Sequence, residues 1–249
     1  MHENVKMQRH GAVAEVVINR PEKMNAITPD MTAALVQIRD DIDRDSAIRV
    51  VLLRGEGDRA FSAGSDLHSL KTYRNTWEFR DRIDYAMVIR DFKKPVVAAL
   101  KGWVLGGGLE MMLGADIRVA GESAKFGAPE VMRGWVGGGG ASQMLPRLVG
   151  YGQAMRLLLT GESVDANEAY RIGLVELVTD DASVVDRAMT LCQKIAEFSP
   201  IATQSVKAAV RAALSTSVEQ GIKYENELTS LCFAAGNYEE GANAFGKKS

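Results

Sequence analysis

The period of the apolar positions changes along the chain, and each change marks an element. VKMQRHGAVAEVVINRP holds two β-rich runs around His10-Gly11 and stops at Pro21, which predicts a hairpin. ITPDMTAALVQIRDDIDRD then switches to helical spacing through Met31, Leu35, Ile38 and Ile42. Thr28 suits its N-cap and Pro29 its first position. Three later runs, IRVVLLRG, KPVVAAL and ADIRVAG, are apolar without alternation. Such runs predict strands buried on both faces.

Each of these strands is followed by a glycine turn and a short second segment: FSAGSD, KGWVLGGG and AKFGAPEV. A helix is expected after most of them, LEMMLGA being the clearest. The units are too dissimilar for a sequence repeat, yet they predict stacked β-β-α turns in an α/β fold. After residue 145 the pattern becomes helical. GYGQAMRLLLTG, VDANEAYRIGLV, ASVVDRAMTLCQKIAEFS, SPIATQSVKAAVRAALS and SVEQGIKYENELTSLCFA carry apolar residues three and four apart, with Pro200 at a helix start. No flexible linker separates the halves, so the reading is a spiral core over 1–195 and a helical region over 196–249.

The chain has 249 residues, 46% of them hydrophobic, and a formal net charge of -2. That suffices for one large domain or two small ones and gives no global pull toward nucleic acid or anionic membrane. No apolar run is long enough to span a membrane, and the N-terminus lacks the apolar core of a signal peptide. The expectation is a cytoplasmic protein. Cys192 and Cys232 lack metal-ligand spacing and read as buried reduced thiols. No metal site is expected.

The chemistry concentrates in LGGGLEMMLGAD, Leu105 to Asp116. Glycines before a helix let a ligand approach the backbone and leave N–H groups free, with the positive helix end behind them. This suits either a phosphate or an oxyanion. The stretch lacks the endings of a P-loop and the GxGxxG spacing, and Glu110 would repel a phosphate. An enolate reaction, in contrast, needs a carboxylate to move a proton. Glu130, twenty residues on in AKFGAPEVMRG, follows a similar strand end. If the units stack, the two acids converge on one water. Alone, Glu130 reads better as a helix-start acid facing the macrodipole, and Glu110 as a solvent-facing residue, although its apolar neighbours leave little polar face.

Taken in order, INRPEKMNAIT, FSAGSDL, KPVVAALKGWVLGGGLEMMLGADIRVAGESAKFGAPE, LLLTGESVDANEAYRIGLVELV and GANAF resemble the crotonase, or enoyl-CoA hydratase/isomerase, superfamily over nearly the whole chain. The resemblance implies the crotonase-type spiral with a C-terminal helical trimerisation region, a homotrimer or dimer of trimers, and an acyl-CoA thioester substrate. It implies no cofactor beyond the CoA moiety. By motif, the backbone N–H groups of Ser65 and Gly107 form the oxyanion hole. Glu110 and Glu130 match the two glutamates of hydratase members; isomerase members typically keep only the second. CoA contacts map to Lys23, Met24 and Ala26, to Ala63, Asp66 and Leu67, and near the end to Phe245 and Lys248. Lys247 and Lys248 read equally as a solvated charge cluster. Gly138 matches a glycine whose N–H lies near the water.

The chain departs from the family after Glu130. Gly137 replaces a proline and Ala141 a glycine, which implies a looser turn. Trp135 reads as core packing rather than pocket wall, and His68 as lining the pocket mouth or facing solvent. Tyr73, Trp77, Phe79 and Tyr85 lie where family members differ most and suggest a pocket wall. The leading function is hydration of a 2-enoyl-CoA. Isomerisation, or dehydration or racemisation of a special acyl-CoA, stays open on the same hole. Binding of CoA or RNA without turnover is disfavoured, because both acids and the glycines are present and no basic stripe is found.

Overall fold

The computed structural model describes residues 2–236. The expected hairpin is β1 (Val5–His10) and β2 (Val13–Ile18), paired antiparallel. Then come α1 (Pro29–Arg44), β3 (Val50–Gly55) and β4 (Ala60–Ser62). The helix expected after FSAGSD is broken into a 3-10 turn at Ser69–Thr72, α2 (Thr76–Arg80) and α3 (Tyr85–Arg90). Asn75 and Asp84 each cap a new start with their side chains, which is why one helix does not form.

The spiral continues with β5 (Val96–Leu100), β6 (Trp103–Leu105), α4 (Gly107–Gly114), β7 (Ile117–Gly121) and β8 (Lys125–Gly127), then a 3-10 turn at Pro129–Arg133. Each turn lays its first strand in one sheet and its second in another. The larger sheet therefore starts as β1-β2-β3-β5-β7 and the smaller as β4-β6-β8. From β2 onward these neighbours run parallel within each sheet. α5 (Ala141–Thr160) follows, with β9 (Ser163–Asp165), α6 (Ala166–Arg171) and β10 (Leu177–Thr179), whose strands close the smaller and larger sheets. α5 starts well before the predicted GYGQ and breaks at Gly150, where φ is 77°.

Burial explains the missing alternation. Val13, Val50, Leu52, Val97, Ala99 and Val119 point from the larger sheet to α7 (Val184–Ala196), which adds Val184, Ala188 and Cys192. The alternate residues Val51, Leu53, Val96, Ala98 and Leu100 pack on the other side with α1, α3 and α4. Both faces are therefore dry along most of these strands, and the charged residues on them, Glu15, Arg54 and Arg118, are held in ion pairs with Arg54, Glu15 and Glu176.

α8 (Pro200–Ala213) and α9 (Val218–Ala234) complete the described chain. Polar contacts fasten α8 to the core. Lys207 donates to the Lys94 carbonyl at 2.6 Å and pairs with Asp116 at 2.7 Å. Arg211 donates to Asp116 at 3.0 Å, to the Gly114 carbonyl at 3.2 Å and to the Arg90 carbonyl. It thereby satisfies carbonyls at the ends of α3 and α4. Both cysteines are free thiols; Cys192 is buried as expected, but Cys232 is only half-buried, with its sulfur 3.6 Å from Ser205 Oγ between α8 and α9. No described helix is long and apolar enough to cross a membrane.

Candidate active site

The site lies past the C-terminal ends of three neighbouring strands. β4 leads to Ser65, β6 to Gly107 and Glu110, and β8 to Glu130. Leu105 pairs with Gly127 in the β6–β8 register, so the two segments carrying the acids leave the sheet side by side. The expected stacking of equivalent strand ends is therefore what brings Glu110 and Glu130 together.

Gly106 turns the chain into α4 with φ 55°, a conformation open to glycine. A Cβ on Gly106 would stand 3.1 Å from Glu130 Oε1, which places that carboxyl against the start of α4. Across the gap, Gly64 has φ 86°, and a Cβ there would lie 2.7 Å from the Gly107 nitrogen. The loop that carries Ser65 thus touches the first turn of α4. Among the described residues, neither the Ser65 nor the Gly107 N–H donates a hydrogen bond. Two unpaired donors, one on a loop and one at the start of α4, make a cradle that can receive an acceptor oxygen.

Glu110 is buried, with 5% of its surface exposed, and is not the solvent-facing residue of the simplest reading. Its Oε1 accepts from the Gly139 N–H at 2.8 Å and from the Ala141 N–H at 3.1 Å. Burial pushes its carboxyl up from 4.5 to about 7; the negative charges of Asp84 and Glu130 add to this, and the two N–H groups oppose it. Glu130 is also pushed up, mainly by burial, and its Oε2 is buried without a partner.

The glycine-rich turn is fitted rather than loose. A Cβ on Gly137 would stand 2.6 Å from Glu110 Oε1. One on Gly139 would stand 2.8 Å from Glu110 Oε2 and 2.9 Å from Asp84 Oδ1. One on Gly138 would stand 2.9 Å from the Arg82 guanidinium. Side chains are absent here because charged groups occupy their space. The Gly138 N–H donates to nothing among the described residues and remains open beside Glu110.

The candidates for CoA contact among the described residues form one surface. Ala63 N–H donates to the Met24 carbonyl at 2.9 Å, Ile27 N–H to the Gly64 carbonyl and Asp66 N–H to the Ile27 carbonyl, both at 2.8 Å. These bonds bring Met24, Ala26, Ala63, Asp66 and Leu67 together, with Lys23 exposed beside them. The sequence reading missed two groups that build this surface. Asn25, buried with φ 54°, donates to the Ala60 carbonyl at 2.7 Å. Arg20 pairs with Asp66 at 2.6 Å, and Asp66 also accepts from the His68 N–H, so its side chain orders the loop. Phe245, Lys247 and Lys248 lie outside the described residues.

One expectation is corrected. Trp135 is 49% exposed, not core. It follows a left-handed Gly134 that ends the 3-10 turn and directs the chain outward. Of the four aromatics, Tyr85 reaches the cradle, with its hydroxyl 2.8 Å from Ser65 Oγ. Trp77 is exposed, because α2 is too short to bury a face, and Tyr73 packs edge-on to Phe79, whose ring lies 4.0 Å from the Arg82 guanidinium. His68 is exposed, as one of its two readings had it. The groups the sequence reading overlooked are Asp84 and Arg82, paired at 3.3 Å beside Glu110. A cavity of about 850 Å3 lies elsewhere, between α8 and the ends of α3 and α4.

Residues 8–249 match the family model described as enoyl-CoA hydratase/isomerase. The chain belongs to this family. It is 36% identical to the short-chain-enoyl-CoA hydratase of Clostridium acetobutylicum, over 98% of this chain and 95% of that one. It is 35% identical to the (E)-benzylidenesuccinyl-CoA hydratase of Thauera aromatica, over 98% and 96%. The crystal structure of an enoyl-CoA hydratase from Bacillus anthracis superposes with a TM-score of 0.93 at 31% identity, covering 98% of this chain and 96% of that one. The α/β spiral with C-terminal helices is thus the crotonase fold.

Proposed function

We propose that the protein is a hydro-lyase that adds water to a 2-enoyl-CoA thioester to give the 3-hydroxyacyl-CoA. One observation carries the reading: the buried Glu110 and the half-buried Glu130, whose Oε2 is buried without a partner, stand beside the unpaired N–H groups of Ser65 and Gly107. The hydratase relatives support it.

In this reading the thioester oxygen sits between the Ser65 and Gly107 N–H groups, with the positive end of α4 behind it. Glu110, held by Gly139 and Ala141, takes a proton from water as the oxygen attacks C3. The Gly138 N–H holds that water. The electron pair moves to the thioester oxygen as an enolate, and Glu130 delivers a proton to C2. Both carboxyls are pushed toward neutrality, so a proton is available on the pair. These groups supply all the proton transfers, so the reading asks for no cofactor beyond the CoA part of the substrate. The 23–27 and 63–67 segments would hold the nucleotide end, with Phe245 and Lys248 as further contacts. We also assign the protein to the cytoplasm, and to a homotrimer or dimer of trimers built on the apolar faces of α8 and α9.

The test follows loss of conjugated-thioester absorbance with crotonyl-CoA and a panel of longer and aryl 2-enoyl-CoAs. Glu110→Gln and Glu130→Gln should each lower kcat by orders of magnitude. Wild-type protein that binds CoA esters but hydrates none would overturn the reading in favour of isomerisation of 3-enoyl-CoAs.

A further inference from the structure

Tyr85 is the first residue of α3, which packs along α4. Gly107 and Gly114 both face α3 and admit it closely: a Cβ on Gly114 would stand 3.0 Å from the Ala86 carbonyl oxygen. At Gly107 the approach is closer still, since a Cβ would fall 1.8 Å from the Tyr85 hydroxyl. That hydroxyl also lies 2.8 Å from Ser65 Oγ. One phenol therefore bridges the two residues whose N–H groups form the cradle. Asp84 fixes this placement by capping α3, accepting from the Ala86 N–H at 2.9 Å.

Counting protons gives the consequence. Each hydroxyl has one proton and two acceptor positions. Among the described residues, the Tyr85 and Ser65 hydroxyls bond only to each other. That bond uses one proton and leaves one directed at no protein group. The geometry points to Tyr85 as a third hydrogen-bond donor to the thioester oxygen, with Ser65 Oγ donating to the phenol and the phenol donating to the substrate. A phenol is the more acidic of the two hydroxyls and hence the better donor to a developing anion. Burial pushes Tyr85 further up, so it stays protonated and acts as a donor, not a base. The assignment rests on the thioester reading and extends its two-donor hole.

The test is Tyr85→Phe, which keeps the ring, beside Ser65→Ala, which keeps the backbone N–H. Removing a donor aimed at the oxyanion should lower kcat roughly a hundredfold, with KM for crotonyl-CoA changing much less. Ser65→Ala should cost less, because the phenol proton survives. Binding gives a readout that simple packing would not move. Acetoacetyl-CoA, bound as its enolate, should bind Tyr85→Phe more weakly, while saturated butyryl-CoA binds it as it binds wild type. Equal weakening of both ligands, a kcat close to wild type, or a larger loss in Ser65→Ala than in Tyr85→Phe would overturn the assignment. Should wild type hydrate no enoyl-CoA, Tyr85-dependent binding of the enolate would still support the donor role while the hydratase reading fell.

Discussion

At the scale of single residues, the fold concentrates its cost on Glu110. A carboxyl whose pKa rises from 4.5 to about 7 on folding binds more protons in the folded than in the unfolded chain between those values. Stability therefore falls as pH rises through that window and is lowest, on this account, above pH 7. Glu110→Gln keeps an acceptor for the Gly139 and Ala141 N–H groups and removes the charge. We expect its thermal midpoint to match wild type near pH 4.5 and to exceed it by several degrees at pH 8. A constant difference between the two across this range would show that Glu110 ionises freely. The surrounding glycines belong to the same account. Gly137→Ala would drive a methyl group to within 2.6 Å of Glu110 Oε1, so it should lower hydratase activity at least tenfold with CoA binding retained. Equilibrium binding of butyryl-CoA beside a steady-state assay separates these effects.

At the scale of elements, the short helix α3 and the long helix α8 do different work. α3 carries Tyr85 to the cradle and is set in place by its Asp84 cap. α8 is fastened to the spiral through Lys207 and Arg211, which share Asp116 as ion-pair partner. Burial lowers Lys207 to about 8, with Asp116 opposing the shift. Asp116→Ala leaves two cations facing carbonyls alone. Removing one partner of a fully buried pair costs about 3–5 kcal/mol; Asp116 keeps some contact with water, so the expected loss is about 2 kcal/mol. Urea unfolding reads this directly, and an unchanged midpoint would mean that water replaces the carboxylate.

At the level of the complete fold, part of the apolar surface that stays uncovered lies on the last helices. Val206 and Val210 of α8 are 63% and 62% exposed, and they line the 850 Å3 cavity with Phe198 and Leu148. A patch of this kind on a chain with a net charge of only -2 favours self-association. Val206→Glu combined with Val210→Glu should shift the sedimentation coefficient from that of a trimer or hexamer toward a monomer. A wild-type chain that sediments as a monomer would remove the oligomer proposal.

The strands, the turn glycines and the two acids were legible in the sequence because each depends on neighbours along the chain. Apolar runs without alternation mark strands with two dry faces, and glycines before Leu109 mark a helix start with free N–H groups. What stayed hidden depends on residues distant in sequence. Tyr85 reads as one of four scattered aromatics, and only the packing of α3 on α4 separates it from Trp77. The four glycines after Val136 read as flexibility, yet three of them are shaped by the side chains of Glu110, Asp84 and Arg82, which approach from other segments. Periodicity and the spiral units follow from the order of residues alone, since local sterics and hydrophobic pattern suffice for those. Which polar groups share one dry space follows from the packing of distant segments, because burial, close approach and raised pKa values arise where those segments meet.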